Sequence, residues 1–396
     1  MIFRQEKPIN QRKYSNKVIP ITYKILNSKG QFLQPEKTLV LDEETTSIAL
    51  KNLSKKPAIS LLNSFSAPVI VEFKQSIDDL FAILEFETDF TSVWMTKKKL
   101  DYIALEKIAS DQPNVENVIS RIYELLINKV HTPSLLAKLL EPLNDNEYFS
   151  RLLETTTPDP KAMQTDIRKY EDLYKRCFKE FSIAYFKSFI HNRRYLRENS
   201  NYQERLLACA LMFLNKGTNF LDDFLDIIFN TSNNMSLKVS CLVNFIGRND
   251  KKENIKRFYL QYGKNKVLLN KWFATQIQYS TPKLALDRLR KLTTHSDFNM
   301  FNPNNFHSVI GTFAKRNFHA FHQKDGCGYK EIADWIKKID PENPQIAANT
   351  TKAFMQIKFL PKTYRTKAKA SLNALSNGNN LSKDTSEILN KIEASL

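Results

Sequence analysis

A chain of 396 residues exceeds the ~250 to 300 at which a single hydrophobic core stops growing, so two or more domains are expected. Its 42% hydrophobic and 26% charged residues exclude an intrinsically disordered polymer. The 59 Lys+Arg against 42 Asp+Glu give a net charge of +17, which favours anionic partners at long range. The basic residues are dispersed into short knots such as Lys97-Lys98-Lys99 and Arg193-Arg194, without the aromatic-and-basic pattern of a nucleic-acid module, so specific nucleic-acid binding is not expected.

The first ~75 residues read as β-structure, because short runs alternate apolar and polar residues between turn signals. Ile19, Ile21, Tyr23 and Ile25 share one face while Thr22 and Lys24 share the other, and Asn27-Ser28-Lys29-Gly30 supplies a turn. Further strands are predicted over Thr38 to Leu41, Ser47 to Leu50, Ile59 to Leu62 and Val69 to Phe73. These are fewer than the roughly seven strands that close an immunoglobulin-like sandwich. A strand is therefore expected to be missing on the N-terminal side, leaving Ile19 to Leu26 as an unpaired edge.

At Ser76 the period changes to that of a helix, with Asp79 placed for a capping box and Leu80, Ile83 and Leu84 on one face. Helices follow over Val115 to Val130, Ser134 to Leu140, Tyr202 to Leu214, Phe220 to Phe229, Lys252 to Tyr262, Pro282 to Leu292 and Lys330 to Lys338. Polar connectors such as Thr155 to Pro160 and Asn230 to Asn234 separate them, and Ser371 to Asp384 reads as a loop before the last helix. The fold class predicted is a two-domain β + α chain. A small, incomplete immunoglobulin-like sandwich spans 1–75, and an all-α superhelix of stacked helix pairs, armadillo- or HEAT-like, spans 76–396.

The chemistry-bearing motifs are sparse. None of the six histidines (His131, His191, His295, His307, His319, His322) begins an H-E-x-x-H zinc motif, and phosphate loops and G-x-S-x-G elbows are absent. No catalytic residue, metal ligand or cofactor site is assigned within the chain. His319, His322, Asp325 and Cys327 lie close in sequence, but Asp325-Gly326 with Gly328 is first of all a turn. The cysteines, Cys177, Cys209, Cys241 and Cys327, form no C-x-x-C pair, and the longest apolar helix is far short of a ~20-residue membrane span. A soluble cytoplasmic chain with reduced thiols and no membrane partner is expected.

Several stretches carry a resemblance. Phe298-Asn299-Met300, Asn302-Pro303-Asn304, Ile310-Gly311, Ala320-Phe321-His322, Asp325-Gly326-Cys327-Gly328-Tyr329 and Asn343-Pro344-Gln345 resemble the C-terminal superhelical domain of the bacterial aminopeptidase N family. Upstream, Phe65-Ser66-Ala67-Pro68-Val69, Asp89-Phe90 with Trp94, Asn233-Asn234-Met235 and Lys271-Trp272-Phe273 fall in that family's order.

The resemblance implies the non-catalytic C-terminal region of a zinc exopeptidase, which caps the active site and limits peptide access. The zinc and the H-E-x-x-H motif belong to a catalytic half that partners this region in cis or in trans. By position it implies that His307, Gln345 and Asn349 line the substrate chamber, with arginine at the first and last of these in related chains. The alternative is a free-standing helical-repeat scaffold for a protein or polyanion.

Overall fold

The computed structural model describes every residue except 7–14, 28–29, 51–55, 131, 154–155, 193–195, 197–201, 249 and 378–379. Ser28-Lys29 of the predicted turn, Thr155 of the predicted connector, His131 and Arg193-Arg194 lie outside the described residues. The chain divides into two compact units, Met1–Leu139 and Leu140–Leu396. Among the described residues no helix is long and apolar enough to cross a membrane.

The first unit holds two small antiparallel sheets. β1 (Ile2–Arg4) pairs with β4 (Thr45–Ser47), while β2 (Ile19–Leu26) lies between β3 (Lys37–Leu41) and β5 (Ala58–Leu61). The register sets Ile19 opposite Leu41 on one side of β2 and Tyr23 opposite Leu61 on the other. The expectation of a free edge at Ile19 to Leu26 is thereby corrected, since β2 is the central strand. Accordingly its second face is also covered, with Thr22 only 9% exposed. Val69 and Val71 pack on the core of Ile21, Leu41 and Leu62, but the segment from Val69 to Phe73 joins no ladder. Alternation there records one buried face, not a strand.

Four helices complete this unit: α1 (Ile77–Phe86), α2 (Phe90–Ala109), α3 (Val115–Lys129) and α4 (Pro133–Leu139). The predicted capping box starts α1, as Ser76 Oγ accepts from Asp79 N–H and the Asp79 carboxylate accepts from Ser76 N–H, each at 3.1 Å. The lysine knot of α2 is no surface patch. Lys97 is fully buried against Asp101 at 2.7 Å, and Lys98 sits over the Trp94 ring.

Glu87, in the turn between α1 and α2, ties sheet to helices. Its side chain is fully buried, accepting from Lys24 Nζ of β2 at 2.7 Å, from Asn63 Nδ2 at 3.0 Å and from the Thr88 and Asp89 amides at 2.7 and 2.8 Å. Lys129 at the end of α3 donates to the Glu87 and Leu84 carbonyl oxygens. Burial opposes the charge, but the Asp89 amide and the Lys24 ammonium outweigh it and hold this carboxyl below its usual range.

The second unit is helical throughout. It runs α5 (Asp145–Leu152), α6 (Pro160–His191), α7 (Tyr202–Leu214), α8 (Asp222–Thr231), α9 (Met235–Phe245), α10 (Lys252–Tyr262), α11 (Lys266–Gln278) and α12 (Pro282–Thr293). It continues with α13 (Pro303–Phe306), a π-turn (His307–Gly311), α14 (Thr312–Arg316), α15 (Phe318–Phe321), α16 (Cys327–Ile339), α17 (Pro344–Thr351), α18 (Lys362–Ser376) and α19 (Lys383–Glu393). The loop expected from Ser371 is corrected: residues to Ser376 are the last turns of α18, because Leu372 and Leu375 are buried. α19 is docked by Asp340, whose carboxylate accepts from Ser382 N–H, Ser382 Oγ and Thr385 Oγ1.

Replacing Glu87 by Ala strands the Lys24 ammonium and the Asn63 amide inside the fold. Unfolding of the E87A chain in urea is expected to lose roughly 3 to 5 kcal/mol, the usual consequence of removing one partner of a buried charge pair. An unchanged midpoint would refute the role given to Glu87.

Candidate functional site

Two places in the second unit concentrate polar side chains. The first contains the histidine pair and its turn. His319 Nε2 lies 2.9 Å from Asp145 Oδ1 on α5, and His322 Nδ1 lies 2.9 Å from the Tyr329 hydroxyl. His322 is packed between Phe318 and Phe321, with ring centroids at 4.5 and 4.8 Å. The Asp325 carboxylate accepts from the Cys327 amide, which closes the turn into α16. Gly326 takes φ +81°, and a Cβ on Gly328 would lie 2.4 Å from the Phe321 carbonyl oxygen. The two imidazoles therefore point to different partners, and no three His, Cys, Asp or Glu among the described residues converge as metal ligands.

The second place is a groove of about 530 Å³ between α11 and the helical run from α13 to α14. α11 contributes Asn270 and Lys271, and the run contributes Asn304, His307, Thr312, Lys315 and Arg316. Local chemistry explains the placement. Asn302 caps α13 by accepting from the Asn305 amide at 3.1 Å, and Pro303 occupies the first turn, where no N–H is needed. Asn305 Nδ2 then donates to Asn270 Oδ1 at 2.8 Å, fixing the run to α11. Along α11 itself Trp272 and Phe273 turn into the core, Trp272 Nε1 donating to the Ile255 carbonyl at 3.0 Å, while Lys271 is left exposed on the groove.

The π-turn has one extra residue. His307 and Lys315, eight apart, would stand about 80° apart around a regular helix, but the inserted residue brings them close to the phase of residues seven apart, onto one face. Gly311 makes room, since a Cβ there would lie 2.9 Å from His307 Nδ1. The Thr312 hydroxyl donates to the His307 carbonyl at 3.1 Å across the wide turn.

Electrostatically the groove has one sign. Lys271, Lys315 and Arg316 line it and no aspartate or glutamate does. Burial, and secondarily Lys315, holds the His307 imidazole below its ordinary range, so it is neutral at pH 7 and the lysines and arginine supply the charge. Lys315 Nζ donates to Asn349 Oδ1 at 3.0 Å.

Of the residues singled out in the sequence, His307 lines the groove and Asn349 meets it through Lys315. Gln345 is exposed on the first turn of α17 and is not among the lining residues. Lys271, Gly311, Lys315 and Arg316 escaped notice, because the π-turn that aligns 315 with 307 leaves no periodic signal.

Comparison with known proteins bears on both units. Residues 77–394 match a domain family described as DUF3458_C, ARM repeats, and residues 1–74 match DUF3458, described as an Ig-like fold. Aminopeptidase N of Escherichia coli K12 is 28% identical over 378 residues, covering 92% of this chain and 42% of the relative. Aminopeptidase N of Caulobacter vibrioides is 25% identical, covering 82% of this chain and 38% of the relative. The chain thus spans less than half the length of these relatives. In the crystal structure of Legionella pneumophila aminopeptidase A in complex with aspartic acid, 46% of that chain matches 96% of this one with a TM-score of 0.80 at 22% identity, a likeness of fold.

The buried His322 generates a test of pH dependence. Burial, with His319 adding to it, holds its pKa down to about 3. The unfolded chain takes up this proton near 6.5 and the folded chain does not, so the stability it contributes is complete above 6.5 and falls as pH drops toward 3. Between pH 6 and 4 this group alone is expected to contribute up to ~1.4 kcal/mol of lost stability per pH unit. A His322→Phe chain, weaker at pH 7 for want of the Tyr329 hydrogen bond, should show a flatter profile of urea midpoints; parallel profiles would refute the assignment.

Proposed function

The chain belongs to the family of the DUF3458 Ig-like domain and the DUF3458_C ARM repeats, and from that membership we propose that it is the non-catalytic C-terminal region of an aminopeptidase N-type enzyme. On this reading residues 1–75 are the sandwich that joins the catalytic half and 76–396 the superhelix that caps it. The superhelix limits access to peptides, whose N-terminal residues the catalytic half removes in the cytoplasm. The catalytic half supplies the zinc chemistry, in cis or in trans. The described residues of this chain offer no ligand set that fits zinc, so no catalytic step is assigned to them.

The observation that carries the reading is the groove of a single charge sign in the stretch that resembles that family. A chamber that holds the far end of a peptide needs polar and cationic groups facing an open space, and a catalytic centre would need converging nucleophile, base or metal ligands. His307 lies in the groove wall, and Gln345 and Asn349, four apart on α17, share an exposed face. We assign these three side chains to the chamber wall, where they shape affinity for the peptide and not the bond-breaking step.

The test is reconstitution. The chain alone is expected to leave alanyl-anilide substrates intact. Mixed with the H-E-x-x-H-bearing region from the same organism, it should co-elute at 1:1 on size exclusion at micromolar concentration and restrict hydrolysis to short peptides. Failure to associate, or a complex that trims folded proteins as readily as short peptides, would refute the capping role.

A further inference from the structure

We infer that Lys315 is the anion-gripping residue of the groove, its ammonium held by Asn349 and presented beside His307 to a carboxylate on the far part of a bound peptide. The inference rests on the peptide-chamber reading for the identity of its ligand, but the site itself stands on local geometry.

The first argument is the contrast with how this unit treats its other cations. Arg248 is clamped by Asp222 and Asp250, Lys251 meets Asp226 at 2.7 Å, Arg290 meets Glu331 at 2.9 Å and Lys175 lies beside Glu171 and Asp172. Each pairing neutralises a cation beside the protein surface. Lys315 instead makes its hydrogen bond to a neutral amide oxygen, that of Asn349. Surrounding protein and then the charge of Lys352 both work against its ammonium, and no carboxylate is placed to offset them. A cation kept unpaired beside a second cation is a site for an anion from outside.

The second argument is geometry. An ammonium has three donors, and one of them is spent on Asn349. The others are free to face the groove, whose volume of about 530 Å³ lies in the range of small-ligand sites. Other polar groups around it are committed: the Thr312 hydroxyl donates to the His307 carbonyl, that of Ser308 to the Asn305 carbonyl, and Asn270 Oδ1 accepts from Asn305. Lys271 and Arg316 add positive potential along the walls without a described ion pair of their own. A lysine, unlike the planar fork of an arginine, grips as a point charge on a flexible stem and accepts a carboxylate from several directions. The ligand class is therefore a carboxylate, from the peptide's C-terminus or from an acidic side chain.

The experiment uses the full chain and needs no catalysis. Isotope-labelled protein is titrated at pH 7 with tetra-alanine bearing a free C-terminal carboxylate, with its C-terminal amide, and with an amidated tetrapeptide carrying glutamate at its third position, following the amide signals of Gly311, Thr312 and Lys315. The free acid is expected to bind at least tenfold tighter than the amide. Lys315→Met should remove that difference, Lys315→Arg should keep most of it, and both should melt with the parent because the side chain is exposed. If the glutamate peptide matches the free acid, the site stands and takes any peptide carboxylate; if it behaves as the plain amide, the site stands and reads the terminus. Equal binding of the acid and the plain amide, absence of binding by all three peptides, or an unchanged acid preference in Lys315→Met would overturn the inference. Reconstitution reads a different property, so a carboxylate-selective groove in a chain that fails to associate would sink the capping role and leave the subsite standing.

Discussion

Every helix begins with backbone N–H groups that no preceding turn can accept, and a unit built of many short helices multiplies that problem at each connector. This chain meets it with short polar side chains: Asn144, Asp159, Asn234, Asn265, Asn302 and Asn343 each accept one or two amides at a helix start. Proline follows at the first helical position behind Asp159, Asn302 and Asn343. The consequence reaches the groove, because the cap at Asn302 sets where α13 starts and so where His307 and Lys315 come to lie. Much of the motif content shared with the aminopeptidase N relatives is of this kind. Asp89-Phe90, Asn233-Asn234-Met235 and Asn343-Pro344 are helix starts before they are anything else.

The two units handle charge in opposite ways. In the first, Glu87 gathers an ammonium, an amide side chain and two backbone amides around one buried carboxylate, and the result is a joint between sheet and helices. Its partners come from both sides of residue 76, where the period of the sequence changes. In the second unit the cations of the groove are left without carboxylates, and the result is an opening. The same Coulomb term, satisfied internally, makes structure and, unsatisfied, makes a binding site.

The fold was legible where local chemistry and packing agree. The Ser76 capping box, the bounds of α7 from Tyr202 and the bounds of α10 from Lys252 could be read from residue types alone. It was not legible where tertiary packing overrides composition. Ser371 to Ser376 reads as a loop, yet Leu372 and Leu375 anchor it to α18. Val69 to Phe73 alternates like a strand without a ladder, and the three-residue β1 is too short to show a period. At the candidate site, His307 and Asn349 could be reached only through the family resemblance, and Lys315 could not be reached at all. Its place depends on a single extra residue in one helical turn, which periodicity arguments assume away.

That extra residue makes the stretch unusually sensitive to length. On the far side of the π-turn from Phe306, the residues Phe313 and Ala314 still face the core while Lys315 and Arg316 face out. Removing one residue between His307 and Gly311 would restore an ordinary helix and rotate everything beyond by about 100°, driving charge toward the interior and apolar side chains toward water. Substitutions in this segment can therefore drift through evolution, each altering what the groove holds, while insertions and deletions there are purged as folding failures. The record of past specificity changes in such chains would be written in residue identity at constant length.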